Sequence, residues 1–263
     1  MSLTIIIILI ISGILVGFIN TLSAGGTTIS IALYLALGIP AQITNAINRV
    51  GVLLQNGFAS YLFYRKNLIN YKHLILYSLP LLVGALFGSL IAINIDEKIF
   101  NICFAIVLLL MVVFLFIETK ATSKQEKPLT LKNYLIVCPL FLITGFYGGF
   151  VQAGTGFLLI AVVGSVLGYD LIKTTAIKNT LMFAYTIVAM AVFLFRGGIE
   201  TKYWIYALIH SFGNLVGSYI AAHYALKKGT QFIKIVIICV VVLIALNLLG
   251  VLDMQLFFKN FVN

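Results

Sequence analysis

Ten apolar runs of roughly helix length follow one another with almost nothing between them. They cover about residues 3–20, 26–38, 41–64, 71–94, 98–117, 132–150, 155–168, 171–195, 202–222 and 230–250. A helical crossing of a bilayer needs about 20 apolar residues, and in hydrocarbon each backbone amide must find its partner within a helix or around a closed barrel. These runs are continuous rather than alternating, which fits helices and not a β-barrel. The chain reads as an all-α polytopic membrane protein, and its 263 residues leave room for little else. Composition agrees: 62% of residues are hydrophobic, 9% are charged and the mean hydropathy is +1.14, beyond what a soluble core can use. The first run has no Lys or Arg before it, so it lacks the basic flank of a cleavable signal and is expected to stay as a helix.

The two halves resemble each other. "GFINTLSAGGT" at 17 matches "GFYGGFVQAGT" at 145, an offset of 128. "TNAINR" at 44 matches "TTAIKN" at 174 and "FYRK" at 63 matches "FLFR" at 193, both at 130, while "GALFGSLIA" at 84 matches "GNLVGSYIA" at 213, at 129. Four blocks in one order at nearly constant offset mark a duplication. The expected organisation is a first repeat at 1–117, a polar linker at 118–131 and a second repeat at 132–263, each repeat with five hydrophobic segments. Two segments, 26–38 and 155–168, are short or re-entrant. Five crossings per half would invert the second half relative to the first. With ten crossings the linker side collects about eleven Lys and Arg against about four opposite, which puts the linker in the cytoplasm. With eight crossings the split is about ten to five and both termini lie inside.

The glycine-rich polar break occurs at the same place in each half. Irregular backbone at membrane depth is tolerated only where it is enclosed by protein or lines a wet cavity, and in inverted-repeat carriers such breaks form the substrate site. Gly25, Gly26, Gly154 and Gly156 would let the chain turn. Ser23, Thr27, Thr28, Gln152 and Thr155 would supply neutral donors. Close helix packing by small residues is the competing explanation. Each half also carries a cation deep within its third segment, Arg49 beside Asn48 and Lys178 beside Asn179. A cation at mid-span costs about 2.5–3.5 kcal/mol on insertion scales, and every acid in the sequence sits at a segment end or in a loop. Asp170 as a counter-ion, or snorkelling of Lys178, would be structural answers. The functional one is an anion that comes and goes, held by both cations meeting near the midplane.

The paired glycine blocks and the "TNAINR" and "TTAIKN" stretches resemble the sulfite exporter TauE/SafE family of membrane permeases over essentially the whole chain. The resemblance implies a permease for sulfite, sulfonates and related organosulfur anions. It places Asn45, Asn48, Arg49, Lys178 and Asn179, with the glycine blocks at 25–28 and 153–156, on the family's patterned regions. The second block reads Ala153-Gly154 where the first reads Gly25-Gly26, so the site is not expected to be strictly symmetric.

The remaining features read as structural. Gly84 and Gly88, recurring as Gly213 and Gly217, suit close helix contact. Tyr61, Phe63, Tyr64, Tyr203 and Trp204 suit interfacial belts. Cys103, Cys138 and Cys239 show no metal spacing, and His73, His210 and His223 read as satisfied structural histidines. The net charge of +10 fits cytoplasmic loops on anionic lipid and not nucleic acid. No acid/base pair or nucleophile shares a depth within the spans, which argues against an enzyme, and no cofactor or metal is expected. An anion channel or a permease for carboxylates or other small solutes stays open as an alternative. The expected setting is the plasma membrane, and a homodimer is left open.

Overall fold

The computed structural model describes residues 2–22, 25–67, 71–116, 130–196 and 199–224, with isolated positions at 242, 246–247 and 251–252. Ser23, linker residues 118–129, Cys239, most of the run 230–250 and the side chains of His73 and His223 lie outside the described residues. Among the described residues there are nine α-helices and no strands. They are α1 Leu3–Leu22, α2 Thr27–Ala36, α3 Ala41–Arg65, α4 Tyr71–Asn94, α5 Glu97–Phe116, α6 Leu131–Phe150, α7 Thr155–Ile160, α8 Leu171–Arg196 and α9 Thr201–Tyr224. A π-helical stretch, Ala161–Val166, continues α7.

Each boundary has a local cause. Pro40 precedes α3, where a missing N–H costs nothing. Asp170 accepts from the backbone N–H of Ile172 (3.0 Å) and Lys173 (2.9 Å), an N-cap for α8. That carboxylate is therefore spent on capping and not on Lys178. Gly38 and Gly168, both at φ 81°, end the two short helical stretches in the left-handed region. Pro80 and Pro139 lie inside α4 and α6, which run on through them.

Four helices, within Leu3–Thr21, Leu74–Asn94, Asn133–Phe150 and Leu171–Arg196, are long and apolar enough to cross a membrane. Their outer faces are bare hydrocarbon. Leu3, Ile7, Ile11 and Leu15 form one stripe of α1, and Ile75, Leu79, Val83, Phe87 and Ile91 do the same on α4, all exposed. A stripe of that size in contact with water would be a liability; against acyl chains it is the expected finish. The centre is the reverse: Asn45, Asn48, Arg49, Gln55 and Asn56 of α3 are all buried, as are Thr174, Lys178, Asn179 and Thr186 of α8. These two polar helices cross at the middle, where a Cβ on Gly57 would lie 2.8 Å from the Phe183 ring.

Glycine sets how the outer helices clasp this pair. Cβ atoms built on Gly84 and Gly88 of α4 would lie 2.1 and 2.0 Å from the carbonyl oxygens of Leu142 and Phe146 in α6. On Gly213 and Gly217 of α9 they would lie 2.3 and 2.0 Å from those of Ile10 and Ile14 in α1. No side chain fits at either seam. The pattern is reciprocal, because the first helix of each half packs on the fourth helix of the other. It also corrects the alignment at offset 128: Gly17 meets the Asn214 carbonyl as Gly149 meets that of Ala85, and Gly13 meets His210 as Gly145 meets Leu81. The first helices thus correspond at an offset of 132. A shift of four residues is one helical turn and keeps the same face, so self-matching of the sequence does not detect it.

Candidate functional site

Where α6 stops, the backbone makes a tight turn through Gln152 (φ 65°) and Gly154 (φ 77°) before α7 begins. A non-glycine residue in the left-handed region costs about 1–2 kcal/mol, and Gln152 is buried there. The turn is held from several sides. Thr155 Oγ1 donates to the Gln152 carbonyl (2.7 Å), the Tyr147 hydroxyl to the Ala153 carbonyl (2.5 Å), Asn48 Nδ2 to Gln152 Oε1 (3.0 Å) and Asn45 Nδ2 to the Phe150 carbonyl (2.7 Å). The last carbonyls of a helix have no partner within it and carry its negative end. Arg49 supplies one, its two terminal nitrogens donating to the carbonyls of Gly148 (3.0 Å) and Gly149 (2.6 Å). Its guanidinium also lies over the Phe193 ring, 4.8 Å from the centroid.

The other break follows the same plan with different parts. Asn20 Oδ1 accepts from the Thr27 amide (3.2 Å), its Nδ2 donates to Thr27 Oγ1 (3.1 Å), and Thr28 Oγ1 donates to the Gly25 carbonyl (2.6 Å). Gly25 takes φ 95°, while Gly26 is at φ −57° and is small because a Cβ there would lie 2.8 Å from the Val16 carbonyl oxygen. Lys178 Nζ donates to the Asn20 carbonyl (2.8 Å), in the last turn of α1. The caps are therefore exchanged: each half's third helix lends a cation to the broken first helix of the other half.

Of the residues expected at the site, Asn45, Asn48, Arg49, Gln152, Gly154 and Thr155 come together at the α6 break, and Gly25, Gly26, Thr27 and Lys178 at the α1 break. Ser23 lies outside the described residues. The two cations are bonded at different breaks, Arg49 to the end of α6 and Lys178 to the end of α1. Arg49 sits against Phe193 of α8. Both of Arg49's hydrogen bonds go to backbone carbonyls, and Lys178 also donates to one. Asn179, fully buried, has neither side-chain atom hydrogen-bonded among the described residues.

Sequence reasoning missed Tyr185, Thr186 and Phe193, which read as ordinary core. Tyr185 is fully buried beside the α6 break, since a Cβ on Gly148 would lie 2.9 Å from Thr155 Cγ2 and 3.0 Å from the Tyr185 ring. Its hydroxyl lies among the side chains of Thr155, Thr186 and Gln152, while Arg49 Nε and Gln152 Nε2 make no well-formed hydrogen bond among the described residues. Unpaired polar atoms at such depth are costly. Their concentration beside a cation makes the α6 break the candidate site. A cleft of about 110 Å³ lined by Gln42, Ala92, Ile93, Phe193, Arg196 and Ile199 approaches from outside, with the Phe193 ring shared between cleft and Arg49. A larger cleft, about 270 Å³ between α4 and α6, is lined only by apolar residues and glycine, and has no group to hold an anion.

The profile of the family described as "Sulfite exporter TauE/SafE" matches residues 9–248. The chain belongs to the TauE/SafE family. A TauE/SafE chain is an integral membrane permease, and the exposed apolar helices agree with that. Among relatives, "Probable membrane transporter protein ORF9" of Sinorhizobium sp is 25% identical over 92% of this chain and 91% of its own length. "Probable membrane transporter protein" of Haemophilus influenzae is 26% identical over 84% and 86%, and "Probable membrane transporter protein YfcA" of Escherichia coli K12 is 21% identical over 89% and 86%. No solved structure matches this TauE/SafE chain.

Proposed function

We propose that this permease is a secondary carrier for a small anion, a sulfur oxyanion or organosulfonate such as sulfite. It works by alternating access of two inverted repeats, 1–117 and 132–263, joined by a cytoplasmic linker in the plasma membrane. One observation carries the reading. Arg49 and Lys178 are fully buried, both are bonded to neutral carbonyls, and no Asp or Glu is among the buried described residues. The carbonyls satisfy the donors of Arg49 but leave its formal charge uncancelled, at about 2.5–3.5 kcal/mol on insertion scales. An entering anion lowers that cost, and a neutral solute does not.

The donor set suits the same guest. Arg49 Nε, Gln152 Nε2 and Asn179 Nδ2 are N–H donors without a well-formed hydrogen bond among the described residues, the Tyr185 hydroxyl lies beside Gln152 and Thr155, and an oxyanion accepts from several such donors at once. The sulfur class rests on the family and the anion class on the buried charge. Reciprocal packing and exchanged caps support inverted repeats: rocking one repeat against the other would carry each broken helix end along with its cation.

The test is melting of the purified protein with sulfite, sulfate, thiosulfate, sulfoacetate, taurine and simple carboxylates. A ligand at 100 times its Kd adds about 2.7 kcal/mol, roughly 5–11 °C for a chain of this size. The expected result is a rise with a sulfur oxyanion or sulfonate that is lost in Tyr185→Phe and Asn179→Ala, both of which leave the carbonyl caps intact. A rise with cations or neutral solutes alone would overturn the anion assignment. Saturable counterflow in proteoliposomes separates a carrier from a channel.

A further inference from the structure

The packing of α9 on α1 and α3 contains a second polar cluster that the helix breaks do not use. His210 and Asn214 are buried, with Asn214 Nδ2 3.2 Å from His210 Nδ1. The ring of Tyr34, fully buried on α2, lies 5.4 Å from the His210 ring, centroid to centroid. Three atoms here, His210 Nε2, the Tyr34 hydroxyl and Asn214 Oδ1, have no hydrogen-bond partner among the described residues.

The repeat shows whether the fold needs them. The contacts of Gly13 and Gly17 with the His210 and Asn214 carbonyls are repeated by Gly145 and Gly149 with those of Leu81 and Ala85. His210 thus corresponds to Leu81 and Asn214 to Ala85. On the third helices, Thr44 and Thr174 donate alike to the carbonyls of Ile39 and Tyr169, so Gly51 corresponds to Leu181. Leu81, Ala85 and Leu181 are all fully buried in one hydrophobic cluster. The positions of the imidazole and the carboxamide in one half are thus filled with hydrocarbon in the other. Packing alone does not call for the polar set, and burying it unpaired costs stability.

We propose that His210, Asn214 and Tyr34 form a proton-binding site, separate from the cation-bearing helix breaks, through which transport is coupled to protons. The carboxamide can serve the ring in either state. Nδ2 donates to a bare Nδ1, and the same group turned over presents Oδ1 to an Nδ1–H. Protonation then forms one N–H bond at the lone pair of Nδ1, with the proton drawn from water when the carrier opens and returned to water on the other side. Gly51 makes room for the turn: a Cβ there would lie 2.0 Å from Asn214 Nδ2 and 3.8 Å from His210 Nδ1. The neighbouring elements present few titrating groups. α2 contributes Tyr34, α1 contributes Gly13 and Gly17, and Arg49 of α3 is turned toward Gly148 and Gly149. The role in coupling rests on the carrier reading, whereas the protonation can be measured without any substrate.

The chain has three histidines, so His73→Asn with His223→Asn leaves His210 as the single imidazole. Nitrogen-15 and carbon-13 NMR of this protein in nanodiscs, from pH 3 to pH 9, reads its protonation directly. The expected result is a titration within that range whose midpoint moves by at least about one pH unit, a tenfold change in proton affinity, in Asn214→Leu. A ring that keeps one protonation state throughout overturns the proposal, and so does a midpoint indifferent to Asn214. The double variant His210→Leu with Asn214→Ala copies the pair that packs in the other half. It is expected to fold and melt within a few degrees of the parent, and its collapse would assign the cluster to the fold instead. A failed anion screen would leave this titration as it stands, so the two readings fail separately.

Discussion

Replacing Arg49 by Lys keeps the buried charge and removes the fork. Arg49 donates to two carbonyls at once, those of Gly148 at 3.0 Å and Gly149 at 2.6 Å. A lysine ammonium is a point donor on a flexible stem and does not reproduce the fixed two-toothed grip of the guanidinium. Desolvation is nearly unchanged in Arg49→Lys, so the loss reduces to one hydrogen bond to a charged group, about 1.5–3 kcal/mol. For a chain of this size that is roughly 3–12 °C in melting temperature. Arg49→Met gives an independent check: two such bonds, about 3–6 kcal/mol, are offset by about 2.5–3.5 kcal/mol of relieved charge burial. The two variants should therefore be destabilised to a similar degree. The assay is melting of purified protein in one detergent with no anion added. If Arg49 served only the substrate, both variants would melt with the parent in the absence of ligand. A Lys variant unchanged within a degree would refute the cap.

Gly88→Ala and Gly217→Ala should each cost about 1–3 kcal/mol through overpacking, because each methyl would sit 2.0 Å from a carbonyl oxygen across the seam. Unequal costs, read by chemical unfolding, would argue against equivalent seams. Gln152→Gly should relieve about 1 kcal/mol of left-handed strain yet lose the acceptor for Asn48, leaving stability near that of the parent and weakening anion-induced stabilisation; Gln152→Ala keeps the strain and should melt lower. Phe193→Ala removes the ring between the outer cleft and Arg49 and should raise the labelling rate of a cysteine placed at Asn45 by a polar thiol reagent, unless Phe193 only fills space.

Much of the fold was legible because membrane helices end where the letters change. Pro40, Gly38 and Gly168 punctuate the chain as the turns require, and the apolar runs match α1 to α9 within a few residues. The cations at 49 and 178 were legible as buried for the same reason. Their partners were not, since a carbonyl is common to every residue and leaves no mark in the sequence; only the rule that a helix end in hydrocarbon must be satisfied points to it. Tyr185 and Thr186 were hidden differently. A lone aromatic or hydroxyl residue inside an apolar run looks like core until its polar atom is found among other polar side chains.

The exchanged caps bear on how such a chain can move. A broken helix in a bilayer exposes carbonyls that would tie it to whatever donor lies closest. Here the donor for each break belongs to the opposite half, so neither repeat is complete alone, and the covalent linker is not what holds them in register. The two ties differ in kind: a two-toothed guanidinium stacked on Phe193 at one break, and an ammonium on a flexible stem at the other. A guanidinium fork fixes orientation where an ammonium pivots. In the proposed carrier, the α6 break held by the fork would be the more fixed of the two. His210 and Asn214 lie against Gly13 and Gly17 of α1, so in the proposed coupling a change of protonation would act on that helix.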